Sequence, residues 1–370
     1  MKLTVFSLDS RERVRRILNL EAPDRIAVEE LGGSVWPTTM DRWRAEGLPA
    51  GVELRDYFKY DTIVVNCDTS PRYEPFVLED TEEWIVSSDG WGNLLKRWKG
   101  ARWGGTPSLI KPSIRSLDDF KEQVEPFLDA GDSRRLISPR YPFRGDLEKG
   151  IKNLQKRYFV IGWLGMEPFE IVREMVGTTQ ICLDFIRNPD ALSYMFNKLA
   201  DYLVECGKSL ADAGVDAGFF WGDMCYNKGP FFSPARYRKL LLPTHKKIFS
   251  VFRKRGLPLI YHICGDFRPL LPDLIEAGVS ALQPLEAKAG IDVRELKQEY
   301  GGKLAFWGNV DVRAMSGSLE DIKREVISKL SAGEGGGYIV GSDHSIPPTV
   351  PLKNYEYMVE LARKHGQYMG

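Results

Sequence analysis

The stretch 259–266, LIYHICGD, places a histidine and a cysteine one residue apart at the end of an apolar run. Residues i and i+2 of a strand lie on the same side, so His262 and Cys264 can point toward one centre. Imidazole and thiolate are ligands that Zn²⁺ favours, and three protein ligands with one open position are typical of catalytic zinc. The spacing indicates a metal site, with a packed cysteine beside a hydrogen-bonded histidine as the structural alternative.

Polar side chains also follow the other apolar runs in the second half of the chain. His344 follows the last run and could supply a third metal ligand across the site. The predicted catalytic residues are Glu167, Asp223 and Asp311, and the predicted cofactor contacts are Trp221, Trp307 and Asn309. Two alternatives stay open, because a carboxylate before a helix is a common N-cap and a tryptophan can simply fill a core.

These residues need a scaffold that brings them together. From residue 157 onward, short β-branched or aromatic runs alternate with amphipathic stretches of helical length, the pattern of βαβ units. The runs are 158–163, 217–221, 258–262, 281–283, 304–307 and 337–340, preceded by 61–66 and by one more run in the N-terminal third. Eight strands favour a (β/α)8 TIM barrel, an α/β fold whose active sites lie at the C-terminal ends of the strands. An open doubly wound sheet is the alternative, but no G-x-G-x-x-G turn follows the first strand, which makes that option less favoured.

The domain organisation follows from the same pattern. We expect one domain over residues 1–370, in which residues 157–370 form the regular β/α repeats and residues 1–156 include an elaboration over the barrel mouth. The alternating segment 84–91 predicts a hairpin in that elaboration.

Charge and cysteine content narrow the class of protein. Lys+Arg and Asp+Glu both number 51, so no excess of charge indicates nucleic acid or a membrane surface, and a small-molecule substrate is expected. The five cysteines are odd in number and form no C-x-x-C, which argues against a disulfide framework or a zinc finger. The N-terminus contains no apolar signal core and no run is long enough to cross a bilayer, so we expect a cytoplasmic protein.

Several segments together resemble the uroporphyrinogen decarboxylase superfamily, which also contains zinc-dependent methyltransferases acting with corrinoid proteins. They are RERVRRILNLEAPDR at 11–25, GPFFSPARYR at 229–238, HICG at 262–265, GNVD at 308–311 and HSIPPTVP at 344–351. The resemblance covers most of the chain and implies a (β/α)8 barrel, in agreement with the strand pattern.

The resemblance favours the methyltransferase branch. The decarboxylases have an arginine-rich R-Q-A-G-R segment that grips substrate carboxylates, whereas the corresponding segment 29–36, EELGGSVW, contains no arginine. The methyltransferases have zinc ligands in H-x-C-G, which His262 and Cys264 match. Their thiol-methylating members use a cysteine near the C-terminus as the third ligand, where this chain has His344, with Glu167 or Asp223 as a candidate fourth ligand.

The resemblance thus implies Zn²⁺ and a corrinoid (cobalamin) held by a partner protein. Replacing a thiolate ligand by an imidazole leaves more positive charge on zinc, which favours a methyl ether such as a methoxylated aromatic, with a thiol as the other substrate. Two other classes of protein stay open: a metal-independent decarboxylase and a non-catalytic ligand-binding barrel. The oligomeric state is also open, a homodimer being one option.

Overall fold

The computed structural model describes residues 7–31, 35–99, 107–136 and 147–368. The first six residues and residues 32–34 of the arginine-free segment lie outside the described residues. The strands are β1 Ala27–Val28, β2 Thr62–Asn66, β3 Val77–Asp80, β4 Trp84–Ser88, β5 Leu94–Trp98, β6 Ser108–Lys111, β7 Phe159–Met166, β8 Ala217–Trp221, β9 Cys225–Tyr226, β10 Gly229–Pro230, β11 Leu259–Ile263, β12 Ala281–Pro284, β13 Ala305–Val310 and β14 Tyr338–Ser342.

Helices connect most of these strands. The α-helices are α1 Ser10–Leu18, α2 Pro37–Ala45, α3 Leu54–Tyr57, α4 Leu117–Asp119, α5 Leu147–Leu154, α6 Pro168–Val176, α7 Thr178–Arg187, α8 Pro189–Asp212, α9 Pro234–Leu240, α10 Leu242–Arg253, α11 Leu271–Ala277, α12 Val293–Tyr300, α13 Val312–Met315, α14 Leu319–Leu330 and α15 Leu352–His365. A π-helical turn lies at Phe120–Val124, and 3-10 turns lie at Glu125–Phe127, Ser133–Leu136, Arg268–Leu270, Ala287–Ala289 and Ser331–Gly333. Among the described residues, no helix is both long and apolar enough to span a lipid bilayer.

Eight of the strands form one curled parallel sheet within the described residues. Its order is β1-β14-β13-β12-β11-β8-β7-β2, so each strand lies beside the next one along the β/α part of the chain. The predicted run 217–221 coincides with β8, and the other runs differ from their strands by a few residues at the ends. The predicted (β/α)8 barrel is confirmed.

The barrel interior is filled by alternate residues of the strands. Phe159 and Ile161 of β7 point inward, whereas Val160 between them packs with the outer helices. Val14 and Ile17 of α1 join the inner cluster and close its lower end. The lower barrel is therefore a packed core, which leaves the upper end for a site.

The two ends of the sheet, β1 and β2, are joined by a side chain. The carboxylate of Glu29, directly after β1, accepts hydrogen bonds from the backbone N–H groups of Asp61 and Thr62 and from the Thr62 hydroxyl. Burial, together with the nearby charge of Asp61, raises the pKa of Glu29 well above its usual value. Glu29 thus occupies the gap between β1 and β2.

A separate antiparallel sheet of order β3-β4-β5-β6 forms the N-terminal elaboration. Trp84 of β4 lies opposite Trp98 of β5, and the Lys96 ammonium lies 3.7 Å from the centre of the Trp84 ring. The turn between β4 and β5 is held by Asp89, whose carboxylate accepts the N–H of Trp91 at 2.9 Å. The predicted hairpin is confirmed.

Candidate active site at the barrel mouth

The inward-facing series of four neighbouring strands continues upward into the site. On the inward face of these strands the inner core ends with Ile161, Phe219, Ile260 and Ala281. The next inward-facing residue of each strand, two positions later, is Trp163, Trp221, His262 and Gln283 respectively. The strand register places His262 of β11 between Trp221 of β8 and Gln283 of β12. The packing of the barrel therefore fixes which side chains meet at the mouth.

His262 is held in one orientation by Gln283. Its Nδ1 atom contacts the Gln283 Oε1, so the proton lies on Nδ1 and the lone pair of Nε2 faces the cavity. The pKa of His262 is lowered by burial, although the Asp223 carboxylate opposes this shift. A neutral, oriented imidazole is the form that binds a metal ion.

Cys264 lies in a tightly fixed loop directly after β11. Its backbone N–H donates to Asp223 Oδ1 at 3.1 Å, and the N–H of Gly265 donates to Glu286 Oε2 at 2.8 Å. Gly265 has φ +77°, and a Cβ there would lie 2.7 Å from backbone atoms of Tyr226, so this position requires glycine. Burial, then the charges of Asp223 and Glu286, raise the pKa of the Cys264 thiol well above its usual value.

Asp223, His262 and Cys264 form a metal-type cluster. One ligand atom from each lies within 4.8 Å of the other two: His262 Nε2 is 3.4 Å from Cys264 Sγ and 3.6 Å from Asp223 Oδ1. The structure thus brings together two of the three predicted metal ligands with one of the predicted catalytic acids. His344 lines the same cavity but is not part of this group; its Nδ1 lies 3.3 Å from the Ser345 carbonyl oxygen.

The cluster lies in a cavity of about 630 Å³ with aromatic walls. Trp163 and Trp221 form one wall, with ring centres 6.4 Å apart and planes inclined by 35°. The Trp221 ring centre lies 5.7 Å from that of His262. The remaining lining residues are Leu31, Trp36, Asp89, Trp91, Arg97, Pro107, Met166, Glu170, Arg173, Glu174, Phe219, Asp223, Cys264, Gln283, Pro284, His344 and Ser345. This volume suits a small organic molecule.

An ionic group on α6 lines the cavity and was not predicted. Glu170 accepts the backbone N–H of Asp223 at 3.2 Å and is paired with Arg173, which also binds Glu174 at 3.0 Å. Burial raises the pKa of Glu170 to about 8, although Arg173 favours its ionised form. The sequence could have indicated this group, because Glu170, Arg173 and Glu174 have the i, i+3, i+4 spacing that places charged side chains on one helix face.

Two predicted catalytic acids serve as helix caps instead of facing the cluster. Glu167 is fully buried, caps α6 through the N–H groups of Phe169 and Glu170, and lies 3.1 Å from His245 Nε2. Asp311 caps α13 and binds the guanidinium of Arg313. Glu167 and Asp311 are therefore helix N-caps, because the carboxylate of each already accepts hydrogen bonds from local donors.

Two predicted cofactor contacts are also placed away from the cavity. Trp307 is 1% exposed in the inner core and donates its indole N–H to the Glu29 carbonyl at 3.1 Å. Asn309 is fully buried and ties together the loops after β12, binding the Val293 N–H and the carbonyls of Leu285 and Ile291. Of the three predicted contacts, only Trp221 lines the cavity.

The protein is thus a (β/α)8 barrel that has a candidate active site at the C-terminal ends of its strands. Residues 104–365 match the family model of uroporphyrinogen decarboxylase (URO-D), and the chain belongs to this family of enzymes.

Individual relatives are distant. The uroporphyrinogen decarboxylase of Bacillus subtilis is 25% identical over 285 residues, which cover 71% of this chain and 73% of the relative. That of Syntrophotalea carbinolica is 26% identical over 180 residues, 48% of this chain and 50% of the relative, so the match spans half of that protein. A solved structure described as a methyltransferase from Methanosarcina mazei superposes with a TM-score of 0.66 at 17% identity, covering 97% of this chain and 99% of that one. At this identity the superposition supports the fold alone.

Proposed function

We propose that this protein is a zinc-dependent methyltransferase that moves a methyl group between a small molecule in the cavity and a corrinoid held by a partner protein. The observation that supports it is the Asp223, His262 and Cys264 cluster at the wall of an aromatic cavity. The solved methyltransferase with the same fold is consistent with this proposal.

The donor set fits Zn²⁺. One imidazole nitrogen, one sulfur and one carboxylate oxygen form a mixed N/S/O set, which would leave a fourth ligand position for substrate. Gln283 accepts a hydrogen bond from the ring nitrogen of His262 that does not face the cluster, and zinc-binding histidines are usually oriented in this way. When bound, Zn²⁺ would polarise the oxygen of a methyl ether or favour the thiolate form of a thiol.

The chain's own residues would bind and orient the substrate. Trp163 and Trp221 provide apolar faces for a planar group such as a methoxylated ring. His262 Nδ1–H donates to the Gln283 Oε1, so Nε2 carries no proton at the ligand position.

Zinc content and methyl transfer test the proposal together. We expect about one zinc per chain in wild type, and loss of zinc in His262→Ala and Cys264→Ser. Methyl transfer from methoxylated aromatics to a Co(I) corrinoid, or from a methyl-Co(III) corrinoid to thiols, would be followed by the change in cobalt absorption. His365→Ala and Cys182→Ser, which alter residues outside the cluster, are matched controls and should keep their zinc. Active protein that contains no metal would overturn the proposal.

A decarboxylase is the second candidate, because the curated relatives that match are uroporphyrinogen decarboxylases. Among the described residues two arginines line the cavity, Arg97 and Arg173, and Arg173 is already paired with Glu170 and Glu174, which leaves these residues little cationic capacity for a substrate with many carboxylates. Release of CO₂ from uroporphyrinogen by metal-free protein would favour this candidate over the methyltransferase.

A further inference from the structure

We propose that Asn66 determines the substrate specificity of the candidate active site, and that its side-chain amide binds a hydroxyl group on the ring edge opposite the methoxy group. The preferred methyl donor is then a methoxyphenol. This inference rests on the proposed function, because it assigns a substrate class to the same cavity.

Asn66 lies in the same inward-facing row of the barrel mouth as His262. Val64 of β2 belongs to the inner core, and Asn66 is the next inward-facing residue of that strand. The register of the parallel sheet pairs Asn66 with Trp163 of β7, and it pairs His262 of β11 with Trp221 of β8. The two tryptophan rings lie side by side between them. Asn66 and His262 are therefore at opposite ends of a row whose middle is the tryptophan wall.

This row has the length of a substituted aromatic ring. Strands β2 and β11 are three positions apart in the sheet order, which is about 14 Å along the sheet at the usual spacing of about 4.8 Å between strands. The side chains of Asn66 and His262 extend inward from these strands, so the gap between their polar ends is shorter than this. A benzene ring on Trp163 and Trp221 can therefore present one edge to the metal-type cluster and the opposite edge to Asn66.

Asn66 lines a second cavity, called the side pocket below, which adjoins the main cavity. The side pocket has a volume of about 270 Å³. It shares Trp91, Trp163, Met166 and Trp221 with the main cavity. The residues that line only the side pocket are Asn66, Cys67, Asp68, Thr69, Ser70 and Gly165. A substituent that extends from the ring beyond the tryptophan wall therefore enters this polar pocket.

The Asn66 amide is available to a ligand. It is partly exposed, and among residues 7–31, 35–99, 107–136 and 147–368 its side chain has no hydrogen-bond partner. The Gln283 amide at the other end of the row is, by contrast, occupied by His262. Asp68 in the side pocket already accepts the N–H and the hydroxyl of Ser70. A side-chain amide both donates and accepts hydrogen bonds, which matches a hydroxyl group.

The side pocket fits a neutral hydroxyl better than a charged or an apolar substituent. No lysine or arginine is among its described lining residues, so a carboxylate there would lack a cation. An apolar substituent would leave the Asn66 amide without a partner. The ring substituent that fits is therefore a hydroxyl.

The backbone around Asn66 is held in place by the protein. The N–H of the next residue donates to the Trp163 carbonyl at 2.9 Å. Arg135 Nη1 donates to the carbonyls of Asp68 and Ser70 at 3.0 and 2.8 Å, and the Arg135 carbonyl accepts the N–H of Asp68 at 2.6 Å. Because the amide is positioned before the ligand binds, it can discriminate between rings with and without a hydroxyl.

The experiment compares two methyl donors that differ in one hydroxyl. Methyl transfer to free Co(I) cobalamin is measured with 4-methoxyphenol and with methoxybenzene, for zinc-loaded wild type and Asn66→Leu. The O–CH3 bond breaks, the ether oxygen keeps the electron pair and takes a proton from water, and the pair for the new Co–C bond comes from Co(I), which becomes Co(III). We expect wild type to prefer 4-methoxyphenol. In Asn66→Leu, kcat/KM should fall about three- to tenfold for 4-methoxyphenol and less than about twofold for methoxybenzene.

Two further variants complete the comparison. Asn66→Ala removes the amide without adding an apolar branch and should lose the same preference, so it decides the question if the leucine variant fails to fold. Asn153→Leu replaces an exposed asparagine of α5 and should change neither reaction. Circular dichroism and zinc content check that each variant is folded and loaded with metal.

Equal losses with both donors, or a wild type that does not prefer 4-methoxyphenol, would overturn the role of Asn66. If wild type transfers no methyl group from either ring, the proposed function fails, and calorimetric binding of the two rings to wild type and Asn66→Leu decides the role of Asn66 instead. Tighter binding of 4-methoxyphenol that is lost in the variant supports this role. Equal binding of the two rings to wild type, or no binding of either, overturns it.

Discussion

The Nε2 atom of His262 lies 3.4 Å from Cys264 Sγ, and Asp223 Oδ1 lies 3.6 Å from the same nitrogen. Strand β11 supplies His262, the loop directly after it supplies Cys264, and the loop after β8 supplies Asp223. A cation at their centre would neutralise a group of acceptors that burial otherwise makes unfavourable in charged form.

Asp223 and His344 should contribute unequally to metal binding. Because Asp223 belongs to the cluster and His344 does not, Asp223→Asn should weaken zinc binding more than His344→Ala, by about tenfold or more. Competition with a chelating dye gives both affinities. Equal or reversed losses would mean that His344 moves into the ligand set when metal binds.

Gln283 should control zinc affinity without touching zinc. Gln283→Leu removes the acceptor that orients His262, and zinc affinity should fall by about 10- to 100-fold. Gln283→Glu keeps an acceptor oxygen and should retain most of the affinity. If Gln283→Leu binds zinc as tightly as wild type, the orienting role is wrong.

The buried chain Tyr237–His245–Glu167 should matter for stability. His245 lies 2.9 Å from the Tyr237 hydroxyl and 3.1 Å from Glu167, and all three side chains are buried. His245→Phe should lower the free energy of unfolding by about 2 to 3 kcal/mol, because two buried polar groups lose their partner. The exposed His365 offers a control: His365→Phe should change urea unfolding little, and a similar loss in both variants would contradict the account.

Glu30 should make stability depend on pH. Its carboxylate accepts bonds from Ser342 and Tyr355, yet burial raises its pKa from the usual 4.5 to about 7. The folded state therefore holds this proton more tightly than the unfolded state. The free energy of unfolding should fall by about 2 to 3 kcal/mol as pH rises from the unfolded pKa of 4.5 through the folded pKa of about 7. Below pH 4.5 the stabilising contribution of Glu30 is fully present.

The check for Glu30 is a comparison with Glu30→Gln. Urea unfolding of both proteins at about pH 5 and about pH 8 isolates the contribution of this group. Wild type should lose stability relative to the variant as pH rises. Parallel pH profiles would contradict the raised pKa.

The features that the sequence predicts are those set by residues close together along the chain, and the features it misses depend on contacts between distant residues. The barrel followed from the alternation of runs and helices, and His262 with Cys264 followed from the two-residue strand period, which are local signals. Gln283 was missed because its role depends on the register between β11 and β12. Trp307 and Asn309 stand at strand ends in the sequence, and only the three-dimensional packing shows that their polar groups bind backbone atoms inside the fold.

The closure of the barrel shows the same limit. Glu29 joins β1 to β2 through contacts 32 and 33 residues away, and no sequence pattern distinguishes it from the adjacent Glu30. Asp223 was predicted as a catalytic acid, with metal ligation as an option. Its Oδ1 lies 3.6 Å from His262 Nε2, which places it in the metal-type cluster.

Zinc-dependent methyl transfer by reconstituted protein is the most direct test of the central proposal. The chelator-stripped wild type should be inactive, and activity with a reduced corrinoid should return with about one equivalent of Zn²⁺, but not in His262→Ala or Cys264→Ser. The readout is the cobalt absorption change on methyl transfer. Stripped protein that transfers methyl groups at the full rate would contradict the account.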